Sequence, residues 1–269
     1  MLMKKIKMLV TDLDRTLLRT DKTISDYTAG VLNKCRQNGI KVIIATARPE
    51  RAATQFLEQV RTDAVIIHNG ALIYADGEKI FHCGIPPGAA KNILHRISRD
   101  FPDATLSVEI DDVFYANFEI ADYKNDTYSI VVDFSDFEKI SAGLPYKPAE
   151  KIIIGMRSVN MPPESDIKYF DKYLTDDLYL EMDSGRFIMI MNRKTKKSLA
   201  VKMLAERYGY DMSEVAAFGD DFNDVEMLKE CGVGVAAANA IDEAKIAADF
   251  ICESNDNDGV AKWIEEYIL

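Results

Sequence analysis

Unbroken apolar runs separated by amphipathic stretches mark the opening of the chain. Ile6 to Thr11 (IKMLVT) is short and apolar. After a polar loop, Ser25 to Asn38 places apolar residues at helical spacing, with Ser25 in the N-cap position and Gly39 at the stop. Lys41 to Thr46 (KVIIAT) is a second, β-branched run, residues 49–60 suit a second helix, and Ala64 to Ile67 (AVII) suits a third strand. Strands of this kind, alternating with helices and apolar on both faces, predict a doubly wound, Rossmann-like α/β core with a parallel sheet. Such sheets hold ligands in the crevice beyond the carboxyl ends of their strands.

The pattern changes near Cys83. IPPG at Ile85 to Gly88 is a breaker cluster, and beyond it helices at 89–99 and 165–174 mix with strand-like segments. These are TLSVEID, YSIVVDF, KIIIGM and a hairpin running from LYLEMD through Ser184-Gly185 into RFIMIMN. At Lys197 the α/β pattern resumes: a helix to about Tyr208, a strand at Val215 to Asp220, then βα units around GVGVA and DFIC. The predicted organisation is a core built from 1–84 and 188–269, with an α+β module inserted at 85–187.

Composition narrows the function classes. A 48% hydrophobic chain of 269 residues has material for a packed core, which excludes disorder. Its formal charge of −11, from 44 acidic against 33 basic residues, argues against a nucleic-acid binder, which needs a basic footprint. A small phosphorylated ligand remains compatible, because a metal and a few local cations outweigh a distant acidic surface. Cys35, Cys83, Cys231 and Cys252 are widely spaced and read as reduced, mostly buried thiols. MLMKKIKMLVTDLD has no sustained apolar run, so neither a signal peptide nor a membrane span is expected, and a cytoplasmic location follows by default. Nothing in the sequence points to a protein partner.

The chemistry concentrates at predicted strand ends. DLDRTLL puts Asp12 and Asp14 directly after the first strand, where one carboxylate can act as nucleophile while the other moves protons. Such a pair also attracts a hard cation, and Mg²⁺ suits oxygen ligands beside a phosphate. An isolated DxD is, equally, a common solvated turn. KVIIATAR places Thr46 after the second strand, where a hydroxyl and an N–H can hold phosphoryl oxygens, although taken singly an ordinary polar residue in a βα turn is the commoner case. TKKSL sets Lys197 at a helix start, where an anionic partner would offset the unfavourable helix dipole, although a lone lysine there is more often on a solvated face. GDDFND, Gly219 to Asp224, adds three aspartates after a further strand, as a metal site or as a capping turn. A nucleophile, a hydroxyl, a cation and metal carboxylates in that order are unexpected by chance.

The set DLDRTLL, ATAR, TKKSL and GDDFND resembles the four motifs of the haloacid dehalogenase superfamily, and the insert preceded by Asn69 to Ala71 is similar to the Cof-type (IIB) phosphatases with a large α/β cap. The resemblance implies that Asp12 is the nucleophile and a Mg²⁺ ligand. Asp14 would be the general acid and base, with its backbone carbonyl on the metal. Leu13, Thr46, Ala47, Arg48, Lys197 and Asn223 would contact phosphate or substrate, Asp220 would bind Mg²⁺ and Asp224 would orient the metal shell. Lys196 competes with Lys197, and the family spacing back from Asp220 favours Lys197, with Ser198 where the family often has Gly. Arg15 stands where the first motif usually has Gly, and Ala47 where the second does.

The implied function is a Mg²⁺-dependent phosphatase of small phosphorylated metabolites, sugar phosphates first, working through a phospho-aspartate. A phosphomutase, a receiver-like domain and a degenerate phosphate-binding protein are the alternatives. To donate a proton Asp14 must be protonated near neutral pH, and negative charge from Asp12 and substrate is expected to raise it. Specificity is expected of the insert, where Glu109, Asp111, Tyr115, Asn117, Glu181, Asp183 and Arg186 are polar candidates, each expected to be solvent-exposed. His68, His82 and His95 show no ligand spacing.

Overall fold

A computed structural model describes residues 5–119, 129–155, 164–182 and 187–269. The chain forms two compact units, 1–82 with 196–269, and 83–195. In the first part of unit one, β1 (Met8–Thr11), α1 (Asp26–Gln37), β2 (Lys41–Ala45), α2 (Glu50–Val60) and β3 (Ala64–Ile67) alternate as the apolar runs require. Ser25 caps α1 by accepting a hydrogen bond from Thr28 N–H at 3.0 Å. A hairpin follows, β4 (Leu72–Ala75) and β5 (Glu78–His82), turned at Asp76-Gly77 with both residues at positive φ (54° and 84°).

Unit two contains α3 (Pro87–Asp100), β6 (Thr105–Ile110), β7 (Val113–Ala116), β8 (Ser129–Val131), α4 (Phe137–Gly143), β9 (Lys151–Gly155), β10 (Leu178–Met182) and β11 (Phe187–Asn192). Its sheet runs β10-β11-β9-β6-β7-β8, antiparallel except for the parallel β7–β8 pair. One face is packed: Leu106, Val108, Ile152, Ile154, Ile188 and Ile190 meet Ile93, Leu94 and Ile97 of α3 and Ile140 of α4. The stretch expected to be an α-helix at 165–174 is a 3-10 helix, Glu164–Tyr173, whose Phe170 and Tyr173 join that core. β11 pairs with both β9 and β10, so the unit closes at Thr195 and not at the expected 187. The expected turn at Ser184-Gly185, together with Asp183 and Arg186, lies outside the described residues.

The chain returns to unit one through α5 (Lys197–Tyr208), β12 (Val215–Gly219), α6 (Val225–Glu230), β13 (Val233–Ala237), α7 (Asp242–Ala247), β14 (Phe250–Cys252) and α8 (Gly259–Tyr267). The eight-stranded sheet has the order β14-β13-β12-β1-β2-β3-β4-β5, parallel from β14 through β3. Period-two alternation divides its side chains between two helical layers. Leu9, Val42, Ile44 and Val65 pack with residues of α1, α2 and α8, whereas Met8, Val10, Ile43 and Ile66 pack with residues of α5, α6 and α7. Each such buried aliphatic stabilises by about 1.5–3 kcal/mol. Among the described residues no helix is long and apolar enough to cross a membrane.

Candidate active site

The strand order reverses beside β1: succeeding strands run out through β2 and β3 on one side and through β12 and β13 on the other. In a doubly wound sheet this switch point opens a crevice at the carboxyl ends. Asp12 follows β1 and Asp220 follows β12, and Asp12 N–H donates to the Phe218 carbonyl (2.9 Å), locking the two strand ends together. The loop after β12 folds back so that Asp224 Oδ2 accepts the N–H groups of Asp220 (2.9 Å) and Asp221 (3.2 Å). Only a glycine permits this, since a Cβ on Gly219 would lie 2.4 Å from Asp224 Cβ.

Lys197, the first residue of α5, is fully buried between two of these carboxylates. Its Nζ donates to Asp12 Oδ1 (2.5 Å) and Asp224 Oδ1 (2.7 Å). Of the two adjacent lysines it is Lys197 that reaches these carboxylates, whereas Lys196 pairs with Glu226. Oxygens of Asp12, Asp220 and Asp224 all lie within 4.8 Å of one another, and all three residues are buried. Lys197 pairs with two of the three carboxylates and Asp220 faces the Arg15 guanidinium at 3.6 Å, so two cations meet three carboxylates. Burial, reinforced by the charge of Asp224 and Asp220, raises the Asp12 carboxyl despite Lys197. Burial and Asp224 push Asp220 up to about 7, while Thr16 Oγ1 (2.7 Å) and the Arg15 guanidinium work against the rise. Burial disfavours the Lys197 ammonium, but its two carboxylate partners outweigh that and hold it charged. Converging hard oxygen donors with excess negative charge fit a divalent cation.

Asp14 is outside this cluster. Its carboxylate accepts Arg48 Nε (2.5 Å) and Nη2 (2.7 Å) together with Lys22 Nζ (2.7 Å). Arg48 is itself braced by a bond to the Ala52 carbonyl (3.1 Å) and by the Phe56 ring. Burial raises the Asp14 carboxyl, but the hydrogen bonds from Arg48 and Lys22 prevail and hold it at about 2. The expected upward shift is therefore corrected: two cations, not neighbouring anions, dominate its surroundings. Lys22 carried no signal in the sequence beyond its charge, and only folding brings it to Asp14.

The remaining motif residues line the same strand ends. Leu13 is buried at the start of the Leu13–Leu17 turn, which closes through Leu18 N–H to the Leu13 carbonyl (2.7 Å). Thr46 is buried after β2, and its Oγ1 accepts the Arg48 N–H at 3.1 Å; Ala47 between them is half-buried. Asn223 Nδ2 donates to Asn69 Oδ1 (2.9 Å), and Asn69 N–H donates to the Thr46 carbonyl (3.0 Å), so the HNGA turn braces the second motif against the fourth. Gly70, at φ 100°, completes that turn in close approach to the Lys196 backbone.

In unit two the expectation of exposed polar candidates fails at several positions. Tyr115 is buried in the core, and Glu109 is buried in β6 opposite Lys151 of β9. Asn117 is structural, accepting Leu106 N–H and donating to the Ala104 carbonyl, each at 2.8 Å. Glu181 is half-buried on β10, and Asp111 is exposed and pairs with Lys147. His68, His82 and His95 contribute nothing to the carboxylate cluster.

Residues 9–264 match the haloacid dehalogenase-like hydrolase family. The chain is 29% identical over 272 residues to the 5-amino-6-(5-phospho-D-ribitylamino)uracil phosphatase YitU of Bacillus subtilis strain 168, covering 97% of each. Its structure is similar to that of BT1666, from the phosphatases of the same superfamily in Bacteroides thetaiotaomicron, with TM-score 0.80 and 25% identity, covering 98% of this chain and 95% of that one. A similar fold is found in the subclass IIB sugar phosphatase BT4131, with TM-score 0.80 and 20% identity, covering 98% and 100%.

Proposed function

The chain belongs to the haloacid dehalogenase-like hydrolases and is a phosphatase, and from that premise we propose that it hydrolyses small phosphorylated metabolites through an aspartyl phosphate on Asp12. The observation that carries this reading is the Lys197 ammonium held between Asp12 and Asp224, with Asp220 alongside. Asp12, Asp220 and Asp224 would hold Mg²⁺, which when bound supplies charge neutralisation for the phosphoryl oxygens.

Asp12 Oδ forms a bond to phosphorus as the bond to the leaving alkoxide breaks. Lys197, fixed in advance, offsets the charge on the equatorial oxygens without reorganising. Thr46 and Leu13 N–H orient the phosphoryl group, and Asn223, braced by Asn69, supports it. Asp14 gives the alkoxide its proton and later takes one from the water that cleaves the acyl phosphate, which returns Asp12 and releases inorganic phosphate. To carry that proton Asp14 must first leave the grip of Arg48 and Lys22. An anionic substrate competes for those two cations, so its arrival favours the release.

The substrate class is a phosphomonoester of a polyhydroxylated carbon chain, sugar phosphates first. YitU is named for a phosphoribityl compound, so 5-amino-6-(5-phospho-D-ribitylamino)uracil belongs in the same panel, with flavin and pyridoxal phosphates next. The test is phosphate release from that panel, with Mg²⁺ and with chelator, by wild type and Asp12→Asn. Release that needs Mg²⁺ and falls at least about 10³-fold in Asp12→Asn is the expected result. Release that survives in Asp12→Asn assigns the nucleophile elsewhere, and release unaffected by chelator removes the metal.

A further inference from the structure

Arg15 adopts φ 58° and ψ 5°, the left-handed region that costs a side chain of this kind about 1 kcal/mol or more. The turn itself requires only a backbone there, so the guanidinium is the part that calls for an explanation. Its Nη2 donates to the Asn239 carbonyl (3.0 Å), and Asn239 Nδ2 donates back to the Arg15 carbonyl (2.7 Å). Asn239 is held in turn by Asn255 N–H on its Oδ1 (3.0 Å). This tether sets Arg15 Nε 3.6 Å from Asp220 Oδ2, with the arginine side chain 48% exposed and the aspartate 3%. The other oxygen of Asp220 is already taken by Thr16 Oγ1, and its carbonyl accepts Ile241 N–H (2.9 Å) from the segment that tethers Arg15.

We propose that Arg15 is a positioning residue that weakens divalent-cation binding, its tethered guanidinium competing with the ion for Asp220 Oδ2. The inference rests on the reading of Asp12, Asp220 and Asp224 as a metal site. An ion entering that cluster meets a fixed positive charge beside one of its ligands, and it must share Asp220 with that charge or displace it against the Asn239 tether. Metal occupancy, not only substrate, then limits the rate when the cation is scarce. The effect is electrostatic and half solvent-exposed, so it is modest and screened by salt.

Calorimetric titration of the full chain with Mg²⁺ and with Mn²⁺ tests this in wild type, R15Q, R15G, R15K and D220N. R15Q retains the backbone demand without the charge, and R15G suits the turn best, so one of the two folds even if the other does not. Both are expected to bind the ion about three- to five-fold more tightly than wild type. R15K, which keeps the charge, should stay within about two-fold of wild type, and the gain in R15Q should shrink at high ionic strength. Affinity in R15Q equal to or weaker than wild type overturns the inference, as does tightening by R15K as large as that by R15Q. Binding that is lost in D220N but unchanged in R15Q leaves the metal site standing and Arg15 without this role. No saturable binding by wild type or R15Q removes both.

Discussion

The cluster around Asp12 and the clamp around Asp14 begin two residues apart on one turn and solve opposite electrostatic problems. The cluster gathers three buried carboxylates, two of them on Lys197 and the third facing the half-exposed Arg15. The clamp gives a single carboxylate an arginine fork and a lysine, and is oversupplied with positive charge. In the proposed mechanism Asp12 stays anionic to attack and Asp14 gives up a proton. Burial pushes the Asp12 carboxyl up against the pull of Lys197, whereas Arg48 and Lys22 hold that of Asp14 low. A cation beside Asp12 would lower its carboxyl, and an anionic substrate drawing Arg48 and Lys22 away would raise that of Asp14, so the two ligands act on the two carboxyls in opposite directions.

The harshest way to break that comparison is Lys197→Met. It removes the buried cation and leaves Asp12 and Asp224 facing each other, and phosphate release at saturating Mg²⁺ should fall at least about 100-fold. Retention of activity within about ten-fold of wild type would show that the cluster does not depend on its lysine.

Titration of Asp220 sharpens the comparison at intermediate size. Its folded value of about 7 lies above the unfolded carboxyl near 3.9. Its stabilising contribution is therefore complete below about pH 4 and is lost as pH rises through about 7. Protons would compete with the proposed ion for this oxygen, so a rise in Tm produced by Mg²⁺ should grow from about pH 5 to about pH 8. A rise independent of pH across that range would contradict the assignment. Asp14 has the reverse sign: its contribution is present above about pH 4 and is lost as pH falls toward 2.

The smallest expected effect is that of Lys22→Ala. Lys22 is 54% exposed and gives Asp14 one contact, whereas Arg48 is 22% exposed and gives two. Carboxyl NMR titration should show the Asp14 value rising in Lys22→Ala, and rising further in Arg48→Ala. An equal or larger rise in Lys22→Ala would mean that the bidentate fork is not the dominant restraint.

The parallel core was legible because strands buried on both faces leave unbroken apolar runs, as at Met8–Thr11 and Lys41–Ala45, and because Ser25 and Gly39 punctuate α1. The hairpin over β4 and β5 was missed although Asp76-Gly77 announces its turn, since the exposed and half-buried β5 lacks an apolar run. In unit two, β7 and α4 are short and weakly patterned, so periodicity gave no purchase on them. Asp12 and Asp220 stood out as candidates because each follows an apolar run, and the topology makes those two strands neighbours. The clamp was not: Lys22 and Arg48 reach Asp14 from 8 and 34 residues away, and no local rule pairs them. Arg15 was visible as a departure from the motif, but its partner Asn239 lies 224 residues along the chain.

The corner at Gly219 fixes how finely this site can be altered. Lys22 and Arg15 stand partly in solvent, where a substitution changes one interaction by a graded amount. Residue 219 offers no graded change, because the smallest side chain already collides with Asp224. That collision would reach the Lys197 contact and both backbone amides held by Asp224 together. Stepwise mutation can therefore retune the periphery of the site, while its centre admits only glycine or a rebuilt loop.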